Sequence, residues 1–339
     1  LDAEAEFYTH KETAEKICDE NPTLAVYIIY GQQPSASTQC MPGGRKTANY
    51  MNEISNGEIK SLVMGTHASA LPHRTLLEEP YNFVCDGEGP ITIEKLLEVL
   101  NKKSSHFDKV PGLWYKDKDN EIKKNKPAVM FENLDTDLPG QAWNLLDLKK
   151  YKAHNWHTFD DLDSRHKYAS LQTSLGCPFK CTFCCINAPF ERNTIRFWSP
   201  KHIIKEIKYL VENHSIYNIK IPDEMFVLNP KQVTGICDEI QKEGLGEKLN
   251  FWAYARIDTL EDNVMLEKMV KAGFRWLGLG IESSNPNVRD GVIKGRFSNY
   301  DIEGVVKKVR DMGFNVGANY IFGLPEDNYD SMNETLDLA

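Results

Sequence analysis

Eight cysteines stand at positions 18, 40, 85, 177, 181, 184, 185 and 237, and four of them fall within nine residues. That run reads Cys177-Pro-Phe-Lys-Cys181-Thr-Phe-Cys184-Cys185, a CxxxCxxC spacing followed by one extra cysteine. Three thiolates on one tight loop can hold three irons of a 4Fe-4S cube and leave the fourth iron open to a substrate or cofactor. Zinc is the competing metal, and it usually takes a second Cys or His pair about 12 to 20 residues away. His202 and His214 do not form such a pair. Buried structural cysteines are the bland alternative, but packing gives no reason to gather three on one loop. Iron–sulfur chemistry in a reducing compartment is the reading favoured.

Charged groups at apolar strand ends are the second signal. Asp223-Glu224 follows Tyr217–Ile221, and Tyr254-Ala-Arg256-Ile-Asp258 closes another apolar run. Gly278-Leu-Gly280-Ile-Glu282-Ser283-Ser284 closes a third, and Asn319-Tyr-Ile321-Phe-Gly323-Leu-Pro-Glu326 a fourth. A carboxylate is a charge-assisted acceptor for an ammonium or for sugar hydroxyls, and glycines let a backbone approach a ligand closely. The bland readings are an exposed acidic loop at Asp223-Glu224 and a structural salt bridge between Arg256 and Asp258.

These residues need elements to position them. Strands are expected at Leu171–Ser174, Tyr217–Ile221, Asn250–Ala255, Trp276–Gly280 and Val316–Phe322. Ser199-Pro200 and Asn229-Pro230 open helices, and Gly273 and Gly313 end two others before a strand. Strands joined by helical crossovers imply a parallel sheet curving towards a barrel, with the chemistry at its C-terminal strand ends.

The N-terminal part reads as a doubly wound α/β unit with about three strands. Thr9 and Glu12 form a capping box, and Leu24–Tyr30 resembles a strand buried on both faces. Lys60–Met64 and Tyr81–Cys85 follow, then a helix from Pro90 to about Asn101. Three polar, Gly-containing loops follow its strands: Ser35, Ser37 and Thr38; Gly65, Thr66 and His67; and Gly87, Glu88 and Gly89. Such loops share one rim of a parallel sheet, where ligands bind. Residues 103–169 read as a linker with a small hairpin (Gly112–Tyr115, then Glu121–Lys124).

Composition bounds the rest. The chain has 339 residues, 41% of them hydrophobic, enough for a real core. Lys plus Arg number 40 against 49 Asp plus Glu, so a generic phosphate-backbone binder is disfavoured and no nucleic-acid partner is expected. The longest apolar run, Leu24 to Tyr30, is too short to span a membrane, and no signal peptide is seen. A cytoplasmic location is expected. The chain starts at Leu1 and stops in a helix-like stretch, so it reads as a piece of a longer protein.

The cysteine loop resembles that of the radical SAM superfamily, and the ordered motifs after it strengthen the resemblance. It implies that Cys177, Cys181 and Cys184 ligate a 4Fe-4S cluster whose open iron chelates S-adenosylmethionine (SAM). It implies that Phe183 borders the adenine and that Asp223 and Glu224 receive the methionyl amino group. Arg256 would meet the SAM carboxylate, Glu282 and Ser283 the ribose, and Ile321 the adenine. Asn319 replaces a glycine of the adenine motif, and Cys185 is left to packing. The N-terminal unit resembles the cobalamin-binding domain of cobalamin-dependent radical SAM enzymes. The cobalt-ligand signature DxHxxG does not occur, so His67 is expected to bond to backbone.

The implied architecture is a truncated Rossmann-like cobalamin-binding domain (1–102), a linker (103–169) and a partial (β/α)6 radical SAM barrel (170–339). The implied activity is C-methylation of an unactivated carbon of a small-molecule or peptide substrate, with an external donor such as flavodoxin or ferredoxin. Rival readings are a cyclase or rearrangement enzyme without methyl transfer, and a non-catalytic iron–sulfur electron-transfer or binding protein. A tRNA methylthiotransferase would need a second cysteine trio, and Cys18, Cys40 and Cys85 are scattered.

Overall fold

The computed structural model describes residues 1–31, 36–153, 166–190, 192–293 and 301–339. Ser35, among the loop residues singled out above, lies outside the described residues. The chain divides into two compact units: Leu1–Phe131 with Cys184–Thr194, and Glu132–Phe183 with Ile195–Ala339.

The first unit holds a five-stranded sheet in the order β1-β2-β3-β4-β5. Its strands are β1 (Leu24–Ile28), β2 (Lys60–Met64), β3 (Phe83–Cys85), β4 (Leu113–Lys116) and β5 (Ile122–Lys124). The first three are parallel, and β4 and β5 are antiparallel. The helix His10–Glu20 opens with the expected capping box, Thr9 to Glu12.

Two expectations are corrected here. The hairpin assigned to a linker extends the sheet, because Leu113–Tyr115 pair with Phe83–Cys85. The unit therefore runs to residue 131 rather than 102. Pairing satisfies the open hydrogen-bonding edge of β3 and adds Leu113 and Tyr115 to the core around Leu62, Phe83 and Leu96. The second correction concerns β1, which is not buried on both faces: Ile28 is 64% exposed. It is the edge strand of the order, so the end of its apolar run is left uncovered.

The second unit holds a five-stranded sheet in the order β12-β11-β10-β9-β6, parallel throughout. Its strands are β6 (Tyr168–Ser170), β9 (Asn218–Lys220), β10 (Asn250–Arg256), β11 (Phe274–Glu282) and β12 (Asn315–Tyr320). Between β6 and β9 lies a two-stranded antiparallel ribbon, β7 (Ser174–Gly176) and β8 (Ile195–Phe197). The first barrel strand is therefore Tyr168–Ser170, not Leu171–Ser174, because Ser174 pairs with Phe197 instead.

Helices form where punctuation and periodicity agree. Ser199 accepts from the His202 amide, Pro200 sits in the first turn, and Ile203, Ile204, Ile207 and Leu210 form the buried stripe. Asn229 caps Pro230–Lys242 in the same way, burying Val233, Ile236, Cys237 and Ile240. Each fully buried Leu or Ile contributes about 1.5–3 kcal/mol. Gly273 returns the chain at φ +99, where an added Cβ would stand 2.4 Å from the Leu249 carbonyl oxygen.

Strand alternation divides the sheet's side chains between two faces. Ile219, Phe251, Ala253, Ala255, Leu277, Leu279 and Ile281 belong to the main core with the helices. Trp252 and Tyr254 fall in a separate cluster with Ala153, against which Tyr168 and Trp276 pack.

Candidate active site

The cysteines lie in the connection from β7 to β8, residues 177–194. Cys177 is buried, while Cys181, Cys184 and Cys185 are partly exposed, and all four are free thiols. Burial pushes the Cys177 thiol up. The Phe179 backbone hydrogen bond and the Arg256 charge pull it back, and Cys181 and Glu224 push with burial. Cys177 thus sits within electrostatic range of both Glu224 and Arg256. Among the described residues no three His, Cys, Asp or Glu side chains gather as a site for one metal ion. Ligands of a cube bind separate irons and need not converge on one point, whereas zinc ligands must.

Asp223 anchors the start of this hairpin. Its Oδ1 accepts from the Thr173 amide at 2.9 Å, and its Oδ2 accepts from the Thr173 and Ser174 hydroxyls at 2.6 Å each. It is 4% exposed. Burial pushes its carboxyl up to about 6, against the pull of those hydrogen bonds. The adjacent carboxylates thus divide: Asp223 ties β7 to the chain leaving β9, and the Glu224 charge helps push the Cys177 thiol up. Sequence reasoning gave both the same task and missed Thr173 and Ser174. Their signal was two hydroxyl residues just ahead of the cysteine loop.

Arg256 ends β10, and its Nε and Nη2 donate to Asp258, each at 2.9 Å. The Phe179 ring of the cysteine loop lies 3.9 Å from its guanidinium. The salt bridge and a place beside the cysteine loop are therefore both realised.

Glu282 ends β11 in the left-handed region at φ +67, and it is buried. A non-glycine residue held there is strained by roughly 1–3 kcal/mol, a cost typical of functional positions. The register with β12 shifts between Gly280 and Glu282, and the Ile321 amide donates to the Glu282 carbonyl at 2.8 Å. Ile321 packs against the Val288, Val292 and Leu324 cluster. The Thr182 amide donates to the Val292 carbonyl at 3.0 Å, joining the cysteine loop to this region, and the neighbouring Phe183 is 40% exposed.

Ser283 follows at the turn after β11. Its side chain is fully buried, its hydroxyl shares a hydrogen bond with Thr335 at 3.1 Å, and it accepts from the Asn285 amide at 3.2 Å. Arg289, buried as well, donates to the Ser283 and Ser284 carbonyls at 2.6 Å each. Neither Arg289 nor Thr335 was legible as a site neighbour, because both act from separate helices.

In the first unit the rim loops also meet. Thr38 Oγ1 lies 2.9 Å from His67 Nδ1, and the His67 amide donates to Ser37 Oγ at 3.2 Å, which in turn donates to the Ile29 carbonyl. The histidine ring thus pairs with a side-chain hydroxyl, not with backbone. Burial lowers its pKa. Gly65, at φ +137, is pressed so closely on β1 that a Cβ would stand 2.1 Å from the Ile29 carbonyl oxygen. Thr66 is buried beside it. Gly87 and Gly89 flank a small recess shared with Val129, Phe131 and Pro189. Glu88 Oε2 accepts from the Phe131 amide at 3.0 Å, so that carboxylate ties the rim to the chain leaving the hairpin.

Charged groups stand at or just after the C-terminal ends of three parallel strands: Asp223 and Glu224 after β9, Arg256 at the end of β10 and Glu282 at the end of β11. Residues 171–339 match the Radical SAM superfamily, and the chain belongs to it. Over 306 residues it is 27% identical to an uncharacterized methyltransferase of Pyrococcus horikoshii, covering 90% of this chain and 62% of that protein. It is 25% identical over 344 residues to the anaerobic magnesium-protoporphyrin IX monomethyl ester cyclase of Cereibacter sphaeroides, covering 100% of this chain and 52% of that one. In fold it resembles the radical SAM methyltransferase TsrM of Kitasatospora setae, solved with cobalamin and a [4Fe-4S] cluster bound. The TM-score is 0.74 at 16% identity, over 100% of this chain and 63% of that one. The chain spans about half to two thirds of the length of these relatives. Among the described residues no helix is long and apolar enough to cross a membrane.

Proposed function

We propose that the chain is the catalytic core of a cobalamin-dependent radical SAM methyltransferase acting on an unactivated carbon of a small molecule or peptide. The observation that carries this reading is the meeting of a strand-end cation with the cysteine loop: the Arg256 guanidinium, held by Asp258 at 2.9 Å, lies 3.9 Å from the Phe179 ring.

The donor set fits the groups involved. Thiolates at 177, 181 and 184 suit iron–sulfur ligation. Glu224 offers an acceptor to the methionyl ammonium. Arg256, held by Asp258 and Phe179, stands beside the SAM carboxylate. Glu282, fixed at a strained strand end, accepts from the ribose hydroxyls, with Ile321 and Phe183 against the adenine. Asp223 and Ser283 serve as supports rather than contacts, since their side chains are engaged with Thr173, Ser174 and Thr335. Ser37, Thr38, Gly65–His67 and Gly87–Gly89 form the rim that would hold cobalamin, without a histidine-on cobalt.

When bound, these groups supply one-electron cleavage of SAM to a 5′-deoxyadenosyl radical and a transferable methyl group. The residues of this chain bind, orient and exclude water. An external flavodoxin- or ferredoxin-like donor in the cytoplasm completes the proposal, with no nucleic-acid partner.

A second reading, ring closure without methyl transfer, is favoured by the similarity to the cyclase. Product mass decides between them. The full-length enzyme is incubated anaerobically with candidate substrates, a reductant, SAM and methylcobalamin. A gain of one methyl supports transfer; loss of hydrogen with no added carbon overturns it in favour of cyclisation.

A further inference from the structure

The strand end that carries Glu282 turns sharply. The Ser283 amide donates to the Ile281 carbonyl at 2.9 Å, which closes a three-residue turn centred on Glu282. With Glu282 at φ +67 this is the γ-turn of positive φ, the rare and strained form. Such a backbone persists only where its surroundings over-determine it.

Two helices supply that constraint. The short helix Pro286–Gly291 carries Arg289, which is buried. Its Nη1 donates to the Ser283 and Ser284 carbonyls at 2.6 Å each, so one nitrogen gathers two successive carbonyls just past the turn. The helix Tyr329–Leu338 carries Thr335, also buried. Its Oγ1 accepts from the Ser284 amide at 3.0 Å and lies 3.1 and 3.2 Å from the Ser283 and Ser284 hydroxyls. Thr335 in turn donates to the Ser331 carbonyl at 3.0 Å. The Ser331 hydroxyl donates to Asp327 at 2.6 Å, and the Asp327 carboxylate accepts from the Gly323 and Leu324 amides at 2.9 and 3.3 Å. One helix therefore ties the turn after β11 to the loop after β12. Every polar atom in this chain has a stated partner, and buried amides and carbonyls hold such partners firmly.

We propose that Arg289 and Thr335 are positioning residues: clamping Ser283 and Ser284 from two helices, they hold the γ-turn that presents the Glu282 carboxylate to the ribose of SAM. The proposal rests on the assignment of Glu282 given above, and the test separates the two.

Equilibrium SAM binding to the anaerobically reconstituted protein is measured for wild type, Glu282→Gln, Arg289→Met, Arg289→Lys and Thr335→Val, and for Arg289→Met and Thr335→Val each combined with Glu282→Gln. Iron content and thermal unfolding are recorded for each, so that loss of cluster or fold is seen directly. Glu282→Gln is expected to weaken SAM at least about tenfold, the loss of a charge-assisted acceptor. Arg289→Met should weaken it about tenfold and Thr335→Val about fivefold in the wild-type background, but each less than about twofold beside Glu282→Gln, because both act through that carboxylate. Arg289→Lys should stay within about threefold of wild type, since one ammonium can donate to both carbonyls. Residues that merely support the fold would give the same fold-loss in both backgrounds, and that result overturns the proposal. A loss of iron in step with the loss of affinity also overturns it, by placing the effect in the cluster. If Glu282→Gln itself leaves SAM binding unchanged, the assignment of Glu282 fails, and this inference fails with it. If Arg289→Met does not fold, Thr335→Val, which keeps the side chain's shape, carries the same comparison, and equal losses in both backgrounds again refute it.

Discussion

Replacing Asp223 by Asn tests the anchor of the cysteine hairpin through its pH dependence. The carboxyl stands at about 6 in the fold against 3.8 as an ordinary value. The folded value is the higher, so this group favours the fold fully below about pH 3.8, and that contribution is lost as pH rises through 6. The rise is worth about 3 kcal/mol in all. At pH 5 about 1 kcal/mol of it remains, and at pH 7.5 almost none does. Asn is uncharged and keeps an acceptor for the Thr173 amide, while the Thr173 and Ser174 hydroxyls can turn to accept from its NH2. Urea unfolding of wild type and Asp223→Asn at pH 5 and 7.5 isolates the group, since other titrations cancel in the difference. The wild type should lose about 1 kcal/mol more than the variant between the two pH values. Equal changes in both proteins would show that the carboxyl is not perturbed as argued. Asp223→Ala, by contrast, leaves three buried donors at Thr173 and Ser174 without acceptors, at about 1–3 kcal/mol each before relief of the buried charge. It should also lower cluster content on reconstitution, because the hairpin loses its tie to β9.

Three further expectations follow from the site. Cys181→Ala should lose the cluster on reconstitution while Cys185→Ala keeps about four irons and four sulfides; full iron content in the Cys181 variant would remove it from the ligand set. Glu282→Gln should weaken SAM binding roughly tenfold to hundredfold with cluster content intact, the value of one charge-assisted acceptor at about 1.5–3 kcal/mol, and an unchanged isotherm would place Glu282 outside the site. Gly65→Ala should destabilise the first unit by about 1–3 kcal/mol, because φ +137 and the Ile29 carbonyl both oppose a Cβ; amide exchange at His67 should rise, and unaltered protection would refute the close approach.

Much of this protein is legible along the chain because its signals are local. The CxxxCxxC loop, the Pro and Gly punctuation of the helices, and the apolar runs of β2, β9, β10 and β11 each depend on neighbours a few residues away. Helix caps and strand alternation are short-range physics, so Ser199, Asn229 and Gly273 do what their types imply. The ordered motifs at strand ends were likewise readable, because a parallel sheet with helical crossovers must bring those ends to one rim.

What tertiary structure alone decided was how polar groups are shared among distant segments. Asp223 and Glu224 are neighbours of similar chemistry, and only the fold of residues 171–176 onto the end of β9 gives the first to Thr173 and Ser174. Nothing near Ser283 in sequence shows that Thr335, 52 residues on, pairs with its hydroxyl. Lys220 looks like an ordinary strand lysine until the Trp252 and Tyr254 rings of β10 come within 6 Å of its ammonium, at 5.9 and 5.6 Å. The hairpin at Leu113–Lys124 has no local mark of belonging to the first sheet, since pairing with β3 depends on an edge formed some thirty residues earlier. In each case the deciding energy is that of a buried polar group or open strand edge finding a partner, and that partner is fixed by packing rather than by sequence proximity.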